Sequence, residues 1–442
     1  VKRRVRGVAR ETFRSMHVRN FRLFFGGQLI SQVGNWLTLV AQTLLVLHLT
    51  HNGFDVGLLT ACQFAPVLFL GAWAGLVADR SDKRKLLMIV QSLAMLQSFA
   101  LAAVAFQPHP PVAAIYGLAL LGGFTVAFDN PARRAFVVEM VPDELASNAV
   151  SLNSALMTSS RIVGPALAGL LATTVGFGWC FTVDGISYLA VLAGLWAMRT
   201  SELRPPRVVA KGKGQVREGI RYIRTVPDLW VPLVMMALVG TLAFNFQTVI
   251  PLFVTKTLNG NDATFTLLFS VVSVGSLAGA LATARRKSIS VHHVIVASAA
   301  FGVAMLVFGA MPTLAWTFPA AVAVGFTSIA FMTASTAIVQ VRSRPAMRGR
   351  VLAIQSMVFL GSTPIGGPLL GAICDRYGPR AGIFLGGLSA LAAALLGHVV
   401  FKRVWRPVDD DAEVVLTPVE ALECVEETID PALEQPAAAQ HA

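Results

Sequence analysis

Charge is what this sequence has least of. Asp, Glu, Lys and Arg make up 14% of the 442 residues, hydrophobic residues 55%, and the mean hydropathy is +0.65. A soluble domain carries about 25% charged residues. A fully water-facing surface is therefore excluded, and lipid must cover the remainder. Cysteine is scarce too. Cys62, Cys180, Cys374 and Cys424 lie far apart with no C-x-x-C or Cys/His metal spacing; the first three sit in apolar runs and read as small buried hydrophobes, so no metal site is expected. G-x-S-x-G, a phosphate loop and H-E-x-x-H are all missing. That leaves no support for enzymatic chemistry, a cofactor or an ATP-driven pump, and an ion gradient is the expected driving force. The net charge of +12 would suit nucleic acid only if the basic residues formed one folded patch. They fall instead in short clusters between apolar runs, the pattern of cytoplasmic loops. No cleavable leader stands out: the basic stretch 1–22 feeds an apolar run too long for a signal sequence, and the first helix is expected to be an uncleaved anchor.

What is present is a series of apolar runs near the 20 residues a membrane helix needs. They lie at 21–49, 56–78, 86–106, 112–128, 154–175, 180–198, 229–254, 265–284, 291–311, 314–339, 351–373 and 381–401. Lys and Arg orient them. Of the 36, 32 fall on one side, Lys256, Arg376 and Arg380 on the other, and Arg161 within the fifth run. By the positive-inside rule both termini are expected in the cytoplasm of a bacterial-type inner membrane. The organisation expected is a basic N-terminus (1–20), a six-helix bundle (21–198), a central cytoplasmic loop (199–228), a second bundle (229–401) and a tail (402–442) whose acidic, Pro-containing composition reads as disordered. Residues 218–224 of the loop could form a basic amphipathic helix on the membrane surface, or remain a solvated loop.

The two bundles repeat. An offset of 203 superposes Gly122 on Gly325, Ala127-Phe128 on Ala330-Phe331, Pro142 on Pro345 and Gly164-Pro165 on Gly367-Pro368; an offset of 204 brings Gly71-x-x-x-Gly75 onto Gly275-x-x-x-Gly279. A six-helix unit used twice in the same sense implies parallel repeats about an axis along the membrane normal. The expected fold is an all-α membrane protein of twelve helices in two pseudo-symmetric bundles.

After the second run comes Gly75-x-x-x-Asp79-Arg80-x-Asp82-Lys83-Arg84. It resembles the signature of the major facilitator superfamily, G-x-x-x-D-R-x-G-R-R/K, with Asp82 in place of the usual Gly. The resemblance implies a cytoplasmic gate. Gly75 would let helix 2 approach a partner closely, Asp79 would meet the positive end of helix 11 near Val351 when the cytoplasmic side is closed, and Lys83 and Asp129 would complete a charge relay around Asp79. The alternative is that these charges only stop the helix and set topology.

A narrower likeness runs through Asn20 to Phe24 (NFRLF), Gly27 to Gly34 (GQLISQVG), Phe128 to Phe136 (FDNPARRAF), Asn148 to Ser154 (NAVSLNS) and Arg161 to Gly169 (RIVGPALAG). These are similar to the exporter branch that contains the enterobactin exporter and the macrolide efflux pumps. The branch implies export of amphipathic small molecules or siderophores by proton antiport. Gly164, Pro165 and Gly169 resemble the antiporter motif of helix 5, with Ala168 for a usual Gly; Leu118 stands where many drug–proton antiporters carry arginine.

Charges inside spans are functional candidates by default. Arg161 could bind an anionic substrate group, or pair structurally with Asp129 or helix carbonyls. Asp184 is expected near the outer surface, as an interfacial cap, and is also the best candidate for a titrating proton site. Amides in hydrocarbon face protein or a cavity. Gln28, Gln32 and Asn35 with Ser31 and Gln42 share a face of helix 1; Thr241, Asn245 and Thr248, then Thr266, Ser270 and Ser273, then Thr333, Thr336 and Gln340, recur at helical spacing in helices 7, 8 and 10. They are expected either to line a central polar-aromatic cavity or to bond between helices. His48 and His51 read as solvated interfacial residues.

The reading favoured is a secondary exporter working by alternating access, acting as a monomer in lipid on a small molecule with protons as the coupling ion, and without nucleic acid. An uptake permease of the same fold and a membrane sensor that no longer transports are the alternatives.

Overall fold

The structure is a computed structural model that describes residues 12–204, 215–284 and 290–404. Twelve helices are long and apolar enough to cross a membrane, and among the described residues there is no strand. The N-terminal six are α1 (Arg19–Thr50), α2 (Gly53–Arg80), α3 (Lys83–Ala105), α4 (Val112–Glu139), α5 (Asp143–Thr174) and α6 (Phe177–Trp196). The C-terminal six are α7 (Pro227–Thr257), α8 (Asp262–Ala284), α9 (Val291–Ala310), α10 (Leu314–Arg342), α11 (Pro345–Tyr377) and α12 (Pro379–Val404). All twelve apolar runs are helices. The main length error is at the α4–α5 turn, where each helix runs about three turns past its apolar run. A 28-residue helix is about 42 Å long, more than the ~30 Å hydrocarbon layer, so its last polar turns leave the lipid without ending the helix.

Packing obeys the repeat. In the first half α1 lies on α5 and α6, α2 on α4, and α3 on α6; in the second, α7 lies on α11 and α12, α8 on α10, and α9 on α12. The halves meet along α2–α11 and α5–α8, two seams that a two-fold relation exchanges. Large apolar side chains such as Phe69, Leu96, Leu170, Trp196, Ile365 and Leu395 are exposed, as a lipid-facing surface requires.

Two elements depart from the expected pattern. The seventh run is interrupted at Ala243 to Asn245. Asn245 Nδ2 donates to Thr241 O at 2.8 Å, satisfying a carbonyl that the break frees, a common repair in membrane helices. The linker helix Gln215–Thr225 does form, with Ile223 and Tyr222 against protein and Ile220 exposed. Ile223 packs with Leu229, Leu233, Val339 and Val351. Tyr222 Oη accepts from Arg344 N at 3.1 Å, and Glu218 pairs with Arg350 at 2.8 Å. The expected basic N-terminal segment up to residue 11, and the tail from 405, lie outside the described residues.

The seams close at the face away from the linker. Gly53 and Gly57 of α2 lie against the backbone of Gly371, Gly367 and Pro368 of α11, where no Cβ would fit. Thr60 and Thr248 hydroxyls are 3.3 Å apart, Ser270 Oγ donates to Ile162 O at 2.9 Å, and His48 Nε2 lies 3.2 Å from Asp262 Oδ1. The expectation that His48 is merely solvated is thereby corrected: it joins the two halves. Near the linker face, by contrast, Gly71, Gly75 and Gly349 have open space where a Cβ would stand. Gly275 and Gly279, which the repeat equates with Gly71 and Gly75, pack on the backbone of Val322 and Phe326. In this conformation, then, Gly75 does not make the close helix approach expected of it.

Candidate functional site

Asp129 and Arg133 of α4, Arg161 of α5 and Asp184 of α6 fall into three environments. Asp129 and Arg133 are one helical turn apart on α4, both buried, with Arg133 Nη2 2.9 Å from Asp129 Oδ2. Gln91 Nε2 of α3 donates to the other carboxylate oxygen at 2.7 Å. Arg133 also donates to Asn130 Oδ1 at 2.8 Å and reaches Gln28 Oε1 at 3.5 Å, and Gln28 accepts from Gln32 Nε2 at 3.1 Å. Paired and hydrogen-bonded on all sides, this is the arrangement that makes buried charge tolerable. Two expectations fall with it. Asp129 does not join Lys83 in a relay, because Lys83 Nζ pairs with Glu139 at 2.8 Å. Nor does it pair with Arg161.

A small cleft opens beside this pair, lined by Gln32, Asn35, Gln91, Thr125, Asp129 and Tyr188. Gln28 Nε2 and Gln91 Oε1 are buried without a hydrogen-bond partner among the described residues. Buried polar atoms are nearly always satisfied, so orphans mark a place where water or a polar ligand belongs.

Asp184 is 1% exposed and seven residues into α6, roughly 10 Å from its start. It is no interfacial cap. Its Oδ2 accepts from Thr38 Oγ1 of α1 at 2.8 Å and Ser98 Oγ of α3 at 2.7 Å, and Gly34 of α1 lies against its Oδ1. Among the described residues no cation pairs with it. Hydroxyls both donate and accept, so the same cage can hold a carboxylate or a carboxylic acid.

Arg161 is half-buried on α5, its guanidinium 5.2 Å from the ring centre of Trp36 on α1. Among the described residues it has neither a carboxylate nor a hydrogen-bond acceptor. The α5 motif explains how the two meet. Gly164 lies so close to α1 that a Cβ would collide with Trp36 and come within 2.9 Å of Val33 O; Pro165 is buried beside it. Gly169, one turn on, abuts Thr266 of α8 across the seam.

The C-terminal candidates, expected either to line a cavity or to bond between helices, are largely engaged in hydrogen bonds within and between helices. Asn245 Nδ2 is used at the α7 break, while its Oδ1 is buried without a hydrogen-bond partner among the described residues, and Ser270 is bonded at the seam. Ser273 Oγ donates to Phe269 O at 3.1 Å and Thr241 Oγ1 to Ala237 O at 2.7 Å, within their own helices. Thr336 accepts from Gln355 Nε2 at 3.1 Å. Around the break, Phe244 packs on Phe246, Phe301 and Phe359, so this side is aromatic more than polar.

In the α2–α3 turn, Asp79 and Arg80 are exposed. Asp82, in the position the signature reserves for Gly, caps α3 by accepting from Lys85 N at 3.1 Å, with an ordinary backbone at φ −62°. Arg84 donates to Leu195 O at 2.7 Å and Trp196 O at 3.3 Å, binding the last carbonyls of α6. It ties α3 to α6 within the N-terminal half.

Sequence reasoning missed Arg133, Gln91, Tyr188 and Trp36. Arg133 lies past the apolar run that ends at 128, so hydropathy alone leaves it outside the helix. Its spacing of four from Asp129 was the available signal.

Twelve helices in two exchangeable halves around an embedded polar site define a membrane transporter of the major facilitator type, not an enzyme. A solved bacterial homolog of the human lysosomal transporter Spinster, in an inward-facing and unoccupied conformation, superposes with TM-score 0.66 at 14% identity, covering 88% of this chain and 98% of its own. Residues 11–428 match the family described as transmembrane secretion effector, and the chain belongs to it. Among relatives, the staphyloferrin A transporter of Staphylococcus aureus (strain NCTC 8325 / PS 47) is 23% identical over 86% of this chain and 96% of its own length. Macrolide efflux protein A of Streptococcus pyogenes is 21% identical over 85% and 94%, and the enterobactin exporter EntS of Shigella flexneri 23% over 87% and 92%.

Proposed function

We propose that this chain is a secondary exporter of an anionic amphipathic small molecule of the siderophore type, working by alternating access with proton antiport. The observation that carries the reading is Arg161. A guanidinium inside a membrane-spanning bundle, over the ring of Trp36 with no carboxylate beside it among the described residues, is costly unless a ligand completes it. Its planar fork suits a carboxylate or catecholate. The efflux-type relatives include proteins named for siderophores, which supports the same direction and substrate class.

The face that carries the linker and the basic loops is the cytoplasmic one on this reading, so the seam is closed outside and the conformation is open inward. Asp184 is the proton site. Asp79, on the open side, joins the end of α11 when the halves rock. The protein acts as a monomer in lipid.

The test is flux into everted membrane vesicles. An acidic interior should drive uptake of a catecholate or polycarboxylate probe in preference to a cationic dye, and Arg161→Ala should abolish it. Equal handling of both probes, unaffected by Arg161→Ala, would overturn the reading. Flux only in right-side-out vesicles would make the chain a permease.

A further inference from the structure

The closed face carries a further bond between the halves. Gly53 N and Phe54 N, the first two amides of α2, donate to Oδ1 and Oδ2 of Asp375, each at 2.8 Å. The first amides of a helix have no acceptor within it and form the positive end of its dipole. A carboxylate that takes two of them at once is held like a plug in a socket. Asp375 belongs to the last turn of α11 and α2 to the other half, so this plug spans the seam. Lys256 Nζ lies 2.9 Å from Asp375 Oδ1, and it comes from α7, in the same half as Asp375.

The sequence around Asp375 is informative. Gly367-x-x-x-Gly371-x-x-x-Asp375-Arg376-x-Gly378-x-Arg380 matches Gly71-x-x-x-Gly75-x-x-x-Asp79-Arg80-x-Asp82-x-Arg84 at every named position but one, and there it carries the Gly that Asp82 replaces. The two stretches are 296 residues apart, whereas the internal repeat has offsets of 203 and 204. The repeat relates α2 to α8 and α5 to α11, so the likeness is not inherited from it. It places the same glycine-spaced, Asp-terminated helix end on α2 at the linker face and on α11 at the opposite face.

We propose that Asp375 is a gating residue: its carboxylate latches the outer gate by capping α2 while the cytoplasmic side is open, and lets go when the halves rock. Asp79 then performs the same act on α11 at the other face, so that each of the two helices offers a carboxylate to the other's N-terminus in turn. Gly53, Gly57, Gly367 and Gly371 let the two backbones come close enough for the plug to reach. Lys256 makes the release reversible. It travels with Asp375, so opening the seam breaks two amide hydrogen bonds and never strands the carboxylate without a cation; water takes the place of Asp375 on Gly53 N, while Phe54 N keeps Asn52 Oδ1 at 2.9 Å.

This inference rests on the alternating-access reading but not on substrate or direction, and its test uses neither. Hydrogen exchange is followed by mass spectrometry on the full chain in lipid nanodiscs without substrate. In Asp375→Asn the peptide containing Gly53 and Phe54 should exchange about tenfold faster, as expected for loss of charge-assisted bonds. Peptides at the cytoplasmic ends of α2 and α11 should at the same time exchange more slowly, because the population moves to the outward-open form. Lys256→Gln should shift both ends in the same directions by a smaller factor, and it covers the case in which Asp375→Asn folds poorly. Faster exchange at both faces would mean a merely structural contact, and unchanged exchange at both would mean no latch; either result overturns the proposal. Shifted exchange in a chain that exports nothing would leave the latch standing and remove the exporter reading. Normal export with unshifted exchange would do the reverse.

Discussion

The two six-helix halves share a fold and differ in where they keep charge. In α1–α6 the ionisable groups sit within the helices: Asp129 with Arg133, Arg161 over Trp36, Asp184 among hydroxyls. In α7–α12 the comparable groups stand at the ends, as with Lys256 and Asp375 at one face and Arg342 with Asp228 at the other. The inner polar groups of that half are neutral; Thr241, Ser273 and Thr336 bond within their own helices, Gln355 reaches Thr336 between helices, and Asn245 Oδ1 is buried without a hydrogen-bond partner among the described residues. Embedded charge is costly and is kept where it does something. Duplicating a six-helix unit supplies two walls, and on the proposed function only one of them carries electrostatic recognition and coupling. The other can serve as a neutral, aromatic face, here built around Phe244.

This contrast can be broken at several points. The largest effect is expected at the Asp129–Arg133 pair. Removing one partner of a buried pair costs about 3–5 kcal/mol, so Arg133→Met should markedly lower the thermal unfolding temperature of purified protein. Asp129→Asn combined with Arg133→Gln should recover much of the loss. A stable single variant would show that the pair is solvated and that the N-terminal half is less committed to charge than described.

Arg161→Ala comes next. Losing a desolvated charge contact to ligand is worth roughly 2–5 kcal/mol, or about a hundredfold in binding of an anionic probe, with unfolding unchanged. Arg161→Lys should rescue only part, since the planar fork is lost. If both variants vanish equally from the membrane, the residue is structural.

Asp184→Asn keeps the side chain's shape and one acceptor oxygen. It should fold, bind and exchange substrate while substrate-driven proton release in proteoliposomes disappears. Undiminished proton release would remove Asp184 from coupling, and suspicion would pass to Asp129. Loss of release in both variants would sharpen the contrast, because coupling would then belong to the first half alone.

The smallest change is expected in the second half. Gln355→Ala removes the bond to Thr336, and hydrogen bonds between membrane helices average about 0.6 kcal/mol. Export should fall less than threefold. A larger loss would put a recognition site in the half read here as neutral.

Much was legible beforehand, for reasons that particular residues illustrate. The twelve runs could be read because hydropathy is a property of a segment and burial in lipid does not depend on the partner helix. Gly164-Pro165 stood out through its resemblance to the antiporter motif and its match to Gly367-Pro368 in the repeat, and the structure explains its first member by the approach of Trp36. Arg133 was lost because amphiphilic helix ends outrun the apolar signal that was used to end them. Asp184 was placed too shallow, since a sequence reports distance along one helix but not which of its neighbours cover it.

The sequence by itself determined how many helices there are, that they form a repeat, and which loops are basic, since each follows from composition counted along one strand of chain. Only the tertiary structure decided that Lys83 takes Glu139 and not Asp129, that Arg161 finds an indole and no carboxylate, and that Asp375 plugs the end of α2. Those pairings depend on how each helix is rotated and tilted against its neighbours. Close backbone contacts at a few glycines set that rotation, and no local pattern of hydropathy records it.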